Sequence, residues 1–252
     1  MFCGIIYCMK NYVVETDNLI YKKKSFWLDY LGKAFIVICA IIALFIIGFE
    51  IMHDSAPVYG VSMQPTLNSQ GATKSDIVYI NSFATFTYGD IIVIKKQSSI
   101  DSDHIIKRVI GMAGDTIDIK QDDDGEVYVY RNGKKLVEDY IYNVKTSGDP
   151  NNLGMRQTLE NFIALRVASR ESDGTSTAVF DKNGRLVVQK DQVFVLGDNR
   201  GRSIDSSVDG PFAVDEVVGV VDYIIPNGTA PFYYFLKVFT GIDLSGLSKL
   251  FK

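Results

Sequence analysis

No cysteine follows Cys39, and the other two, Cys3 and Cys8, stand near the N-terminus, so the region beyond residue 50 has no disulfide framework. Positive charge is also scarce. The 26 Lys and Arg against 30 Asp and Glu leave a net charge of −4, which provides no general basic surface for nucleic acid. Histidine is nearly missing: His53 and His104 are the two examples, and neither stands in a recognisable Ser-His-Asp context. No S-x-x-K motif occurs, which counts against the penicillin-binding or β-lactamase-like enzyme that Lys145-Thr146-Ser147 superficially suggests. What is present is apolar. Of 252 residues 47% are hydrophobic, enough for one ordinary domain plus an anchor or for two small domains.

The apolar residues concentrate first in Ala34 to Phe49, a run without charge that approaches, with Leu31, Gly32, Ile51 and Met52 at its borders, the roughly 20 residues needed to span a bilayer. Lys10, Lys22, Lys23, Lys24 and Lys33 precede it, and no Lys or Arg follows until Lys74. This asymmetry places the N-terminus in the cytoplasm and the bulk of the chain outside, with Trp27 and Tyr30 at the interface. A buried core helix rarely lacks every polar residue. A cleavable signal has a short basic head and a small-x-small site, whereas here a head of about 33 residues precedes the run and Met52-His53-Asp54 follows it. The expectation is an uncleaved anchor.

From residue 76 the pattern changes to period two, in DIVYI, DIIVIKK, HIIKRVIG, DTIDIK, EVYVY, FIALRVAS, STAVF, RLVVQ, QVFVLGD and EVVGVVDYII, which predicts an all-β region. Asn132-Gly133 and Asn183-Gly184 each separate two such runs and predict hairpins. Residues 145–160, rich in Gly, Pro and Asn, read as a surface loop of an inserted subdomain. The C-terminal cluster of Phe232, Tyr233, Phe235, Leu236 and Phe239 fits packing on the sheet better than lying along a membrane.

Ser62 lies in a loop punctuated by Gly60 and Pro65, about ten residues beyond the membrane exit. A loop serine alone is ordinarily a turn former; as a nucleophile it needs a base. Alternation along β-patterned 104–110 puts Lys107 on one face with Ile105 and Val109, and Arg108 on the other with Ile106 and Ile110. A lysine among apolar neighbours loses basicity, because burial disfavours its charged form, and it then accepts a proton near neutral pH. A solvent-facing lysine with its stem over the sheet is the ordinary alternative.

The segments SMQPTL, YGDIIVIK, HIIKRVIGMAGD and VLGDNRGRSIDS, in this order and spacing, resemble the boxes of bacterial type I signal peptidases. The resemblance covers the anchor, residues 58–118 and residues 191–226. It implies a mainly β fold in which a single N-terminal transmembrane helix precedes an all-β signal-peptidase-like catalytic domain with an inserted β-rich subdomain. The expected boundaries are a cytoplasmic tail over 1–30, the anchor over 31–52, the catalytic domain over 53–118 and 191–230, the insertion over 119–190, and an amphipathic tail over 231–252. By position the resemblance makes Ser62 the nucleophile, Lys107 the general base and Ser203 the hydroxyl that orients the amine, with Asp198, Arg200 and Asp205 in support; a charge pair between Arg108 and Asp198 beneath the site is a further expectation, one that would lock the Lys107 strand. Met63 and Ile106 become walls of shallow pockets for small residues, and the partners are signal peptides of translocated preproteins at the bilayer. Neither metal nor other cofactor is implied.

Two positions depart from the commonest pattern. Ser207 stands where an arginine usually ends the last box, leaving Asp205 to use Arg202 or a backbone donor; Gly60 stands where some members carry an oxyanion-holding serine, so backbone donors such as the Ser62 N–H must serve. A self-cleaving repressor shares the Ser/Lys pair, but the anchor opposes a cytosolic regulator. An anchored scaffold with a degenerate site would have lost Ser62 or Lys107, and both are present.

Overall fold

The computed structural model describes residues 12–14, 21–23, 26–68, 75–97, 102–141, 153–172 and 177–226, and the chain divides into two compact units at Met52. In the first unit, strands β1 (Tyr12–Val14) and β2 (Tyr21–Lys23) pair antiparallel, and helix α1 runs from Phe26 to Met52. Twenty of its residues, Tyr30–Phe49, are long and apolar enough to cross a membrane, and none of that stretch is buried against protein. Twenty helical residues extend about 30 Å, the thickness of a hydrocarbon core. This helix fits a single-pass membrane anchor.

The second unit is built on a seven-stranded antiparallel sheet. Its strands are β3 (His53–Pro57), β4 (Ile77–Asn81), β5 (Ile91–Gln97), β6 (Ser102–Met112), β12 (Gln192–Leu196), β13 (Phe212–Ala213) and β14 (Val217–Ile225), ordered β13-β12-β6-β5-β14-β4-β3. The chain leaves this sheet after Met112 and returns at Gln192. Between those points it forms a five-stranded antiparallel sheet from β7 (Thr116–Gln121), β8 (Val127–Arg131), β9 (Lys134–Lys135), β10 (Val179–Phe180) and β11 (Leu186–Val187), ordered β10-β11-β7-β8-β9. Apolar residues of these strands, joined by Met63 of the loop after β3 and Phe162 of a helix, form three buried clusters. One holds Met63, Val78, Ile80 and Val93; a second holds Ile92, Ile94, Val109 and Val195; the third joins the sheets through Ile110, Ile117, Phe162, Leu186 and Phe194. Each such side chain contributes about 1.5–3 kcal/mol when fully buried.

Asn132-Gly133 turns the β8–β9 hairpin with positive φ at both residues, 53° and 76°, the geometry of a tight two-residue turn. Asn183-Gly184 also separates a strand pair, β10 and β11, but in a longer loop where only Gly184 has positive φ, 77°.

One stretch differs from the sequence pattern. Residues 162–169, which alternate like a strand, belong to helix α2 (Met155–Glu171), and so do residues 155–160, the last six of the expected surface loop. The apolar residues Met155, Leu159, Phe162 and Leu165 recur at helical spacing and cover the third cluster, with Thr158 buried beside them. Eight residues of FIALRVAS satisfy both periods; the longer window from Met155 decides for helix because its single apolar face matches the five-stranded sheet. Residues 142–152 and the C-terminal stretch from 227, including its aromatic cluster, lie outside the described residues.

Candidate active site

The loop carrying Ser62 is pinned at its base by Asn68, a side chain that no motif singles out. Asn68, held at φ 54°, donates through Nδ2 to the carbonyls of Val58 (2.9 Å) and Gly60 (3.1 Å), while its own N–H donates to Asp76 Oδ2 at 2.6 Å. Asp76 returns a backbone N–H to Asn68 Oδ1 at 2.8 Å. Gly60 takes φ 88°, a left-handed conformation that favours glycine, and the Gln64–Pro65 peptide is cis. On the other side Asn199 holds the loop, its N–H donating to the Ser62 carbonyl at 3.0 Å and its Nδ2 to the Val61 carbonyl at 3.1 Å.

Lys107 enters from β6, opposite Ile92 of β5, on the face shared with Ile105 and Val109. Its side chain is 3% exposed, and its Nζ donates to Ser62 Oγ at 3.0 Å and to the Ile106 carbonyl at 2.9 Å. Burial lowers its pKa from 10.5 to about 8, against the carboxylate of Asp205; Lys96 adds to the lowering, and Asp209 and Asp198 oppose it. An amine so placed can shed its proton just above neutral pH and accept another from the hydroxyl beside it.

The supporting residues come from the turn after β12. Gly197 leaves no room for any side chain: a Cβ there would lie 2.5 Å from the Ser62 carbonyl oxygen and would collide with Ser203. Ser203 Oγ is buried without a hydrogen-bond partner among the described residues. Asp198, fully buried, takes two hydrogen bonds from Arg108, Nε to Oδ1 at 2.8 Å and Nη2 to Oδ2 at 2.6 Å, and one from Thr66 Oγ1. Arg108 also donates to the Gly89 carbonyl at 2.7 Å. Asp205 accepts from the Gly197 N–H at 2.9 Å, from the Ser207 N–H at 3.0 Å and from the Ser207 hydroxyl at 2.8 Å, so Ser207 itself occupies the carboxylate. Arg200, buried, donates to the Gly197 carbonyl at 3.0 Å and pairs with Glu138.

Met63 is 3% exposed and packs into the core behind Ile106, which is partly exposed. Asn199, Gly197 and Thr66 were missed as site residues although they lie within or beside the boxes quoted above; a deletion of side-chain volume and a backbone clamp have no sequence signature of their own. Among the described residues no group of His, Cys, Asp and Glu could hold a metal ion.

The family model described as signal peptidase, peptidase S26, matches residues 28–225. Signal peptidase I P of Bacillus subtilis subsp. natto is 31% identical over 215 residues, covering 83% of this chain and 94% of that protein. Signal peptidase I T of Bacillus subtilis strain 168 is 30% identical over 211 residues, covering 83% and 91%. A crystal structure of a signal peptidase I from Enterococcus faecalis V583 is 27% identical, covers 56% of this chain and 99% of that one, and has a TM-score of 0.33. By the family model and the identity to these Bacillus proteins, the chain belongs to the signal peptidase family, peptidase S26, and is a serine endopeptidase of the signal peptidase I type.

Proposed function

We propose that this chain removes N-terminal signal peptides from translocated preproteins, cutting after small-x-small sites, with Ser62 as nucleophile and Lys107 as general base. The observation that carries the reading is the 3.0 Å approach of a buried lysine amine, its pKa lowered to about 8, to the Ser62 hydroxyl. No histidine is needed for proton transfer when a neutral amine stands at that distance.

In the proposed reaction neutral Lys107 takes the Ser62 proton as Oγ attacks the scissile carbonyl carbon, and the oxygen that becomes negative is met by the Ser62 N–H. The Lys107 ammonium then protonates the leaving amine of the mature protein as the C–N bond breaks, leaving an acyl-enzyme on Ser62. Water, deprotonated by Lys107, releases the signal peptide carboxylate and restores the Ser62 hydroxyl. Ser203, whose Oγ has no hydrogen-bond partner among the described residues and lies with the Ser62 carbonyl around Gly197, would orient the amine once the reaction is under way, while Asp198 and Arg108 hold the turn and the strand against each other.

A strand edge supports an extended substrate. Strand β6 pairs with β5 from Ser102 to Arg108, whereas β12 meets it only from Arg108 onward. The backbone groups approaching Lys107 on that side therefore have no strand partner among the described residues, and a peptide could add there as a strand. Ile106 then faces its small side chains, with Met63 behind.

The lysines preceding the anchor support an orientation with the N-terminus in the cytoplasm and the catalytic domain outside, where translocated substrates emerge. Cleavage of an Ala-x-Ala preprotein by the detergent-solubilised chain tests the reading. Mature protein should appear with wild type and be absent with Ser62→Ala and Lys107→Ala; equal product from a folded Ser62→Ala variant would overturn it.

A further inference from the structure

The segment that leaves β9 reaches back to both arginines of the site. Arg200 Nη1 donates to Glu138 Oε2 at 3.0 Å and lies 3.1 Å from Met155 Sδ, Arg200 Nη2 donates to Glu138 Oε1, and Thr158 of α2 donates to the Arg200 carbonyl at 3.1 Å. Tyr140 donates its hydroxyl to Glu138 Oε1 at 2.8 Å, and its ring lies 4.1 Å from the Arg108 guanidinium carbon. Burial, helped by the Glu138 carboxylate, pushes the Tyr140 phenol up, so it stays a donor at any working pH. One carboxylate and one phenol thus hold Arg108, which follows Lys107, and Arg200, which follows the Asn199 clamp on Ser62.

We propose that Glu138 and Tyr140 are positioning residues for the Ser62–Lys107 pair, holding Arg200 and Arg108 so that the loop after β12 and the strand β6 keep the hydroxyl and the amine in register. This rests on the Ser/Lys reading of the site. Both ions of the Glu138–Arg200 pair are nearly buried, 7% and 1% exposed, so removing the carboxylate strands a guanidinium that cannot reach water. The Asp205 carboxylate acts on both Arg200 and Lys107, so an Arg200 released from Glu138 would be drawn toward it. That would draw Asp205 from the Gly197 N–H and reduce its pull on Lys107, whose other charged neighbours are Lys96, Asp209 and Asp198. The stretch between the two visits to the seven-stranded sheet then has a task at the site beyond its own folding.

The test uses the full chain in detergent with a peptide carrying an Ala-x-Ala site, comparing Glu138→Gln, Tyr140→Phe and Tyr140→Leu with Asp139→Asn, which removes an exposed charge from the same segment. Rates are normalised to the folded fraction from thermal melts. Glu138→Gln should lower kcat about tenfold with KM within about twofold, because a displaced pair of reacting groups costs rate rather than binding. The midpoint of its pH profile should move down, Asp139→Asn should stay near wild type, and Tyr140→Leu should lose more than Tyr140→Phe. A folded Glu138→Gln variant with the kcat of Asp139→Asn, or with its loss confined to KM, overturns the proposal. If Glu138→Gln does not fold, wild-type kcat in Tyr140→Leu overturns it instead. Failure of the Ser/Lys reading is separate, since it would show as cleavage by Ser62→Ala.

Discussion

Arg108 holds Asp198 through two hydrogen bonds of 2.8 and 2.6 Å, joining the residue after Lys107 to the residue before Asn199, which bonds the Ser62 carbonyl. The pair is a brace between strand and loop. Removing one partner leaves the other charge buried, at a cost of about 3–5 kcal/mol. Asp198→Asn is therefore expected to lower the melting temperature sharply and to abolish cleavage, as followed by thermal unfolding and a peptide assay; Arg108→Lys keeps the charge but loses the fork and should fall between Asp198→Asn and wild type.

Lys107 makes stability depend on pH. Its folded-state pKa is about 8 against 10.5 when exposed, so between those values the unfolded chain binds more protons than the folded one. Below pH 8 the folded state carries a buried ammonium at a cost of about 3 kcal/mol, and this cost is relieved as pH rises from 8 toward 10.5. Lys107→Met, similar in shape, should melt above wild type at pH 7, and the gap should close toward pH 10. A variant that melts at or below wild type at pH 7 would contradict the depressed pKa.

Ser203 Oγ has no hydrogen-bond partner among the described residues. Ser203→Ala removes a buried hydroxyl that forms no hydrogen bond, so stability should hold or rise by up to about 1 kcal/mol. Cleavage should still fall by about 10- to 100-fold if the hydroxyl orients the amine during reaction. A parallel loss of stability and rate would instead make Ser203 a packing residue.

Gly197→Ala tests the close approach. Its added Cβ would sit 2.5 Å from the Ser62 carbonyl oxygen and inside contact distance of Ser203, so the loop must move. The expected result is a folded protein, by circular dichroism, with cleavage reduced at least about 100-fold, a displacement of about 1 Å being enough.

The strands and the anchor were legible because each relies on a local period: the uncharged run at 34–49 and the alternation around Lys107 need no distant partner to be read. The helix at Met155–Glu171 was misread because FIALRVAS alternates over eight residues, and only its fit to Ile117 and Leu186 from distant strands selects the helical face. The ties between site elements were not legible. Ser207 reads as the loss of an arginine, yet its hydroxyl and N–H both bond Asp205, and Glu138 and Tyr140 stand in a segment with no motif at all. Such ties arise from where the chain folds back, which spacing alone does not encode.

The most direct test of the account is the pH dependence of Ser62 acylation in single turnover, measured from pH 6 to 10 with an Ala-x-Ala peptide. The rate should rise to a plateau with a midpoint near 8, where the Lys107 amine becomes neutral. A rate independent of pH across that range, or one rising with a midpoint below 7, would contradict Lys107 as the base.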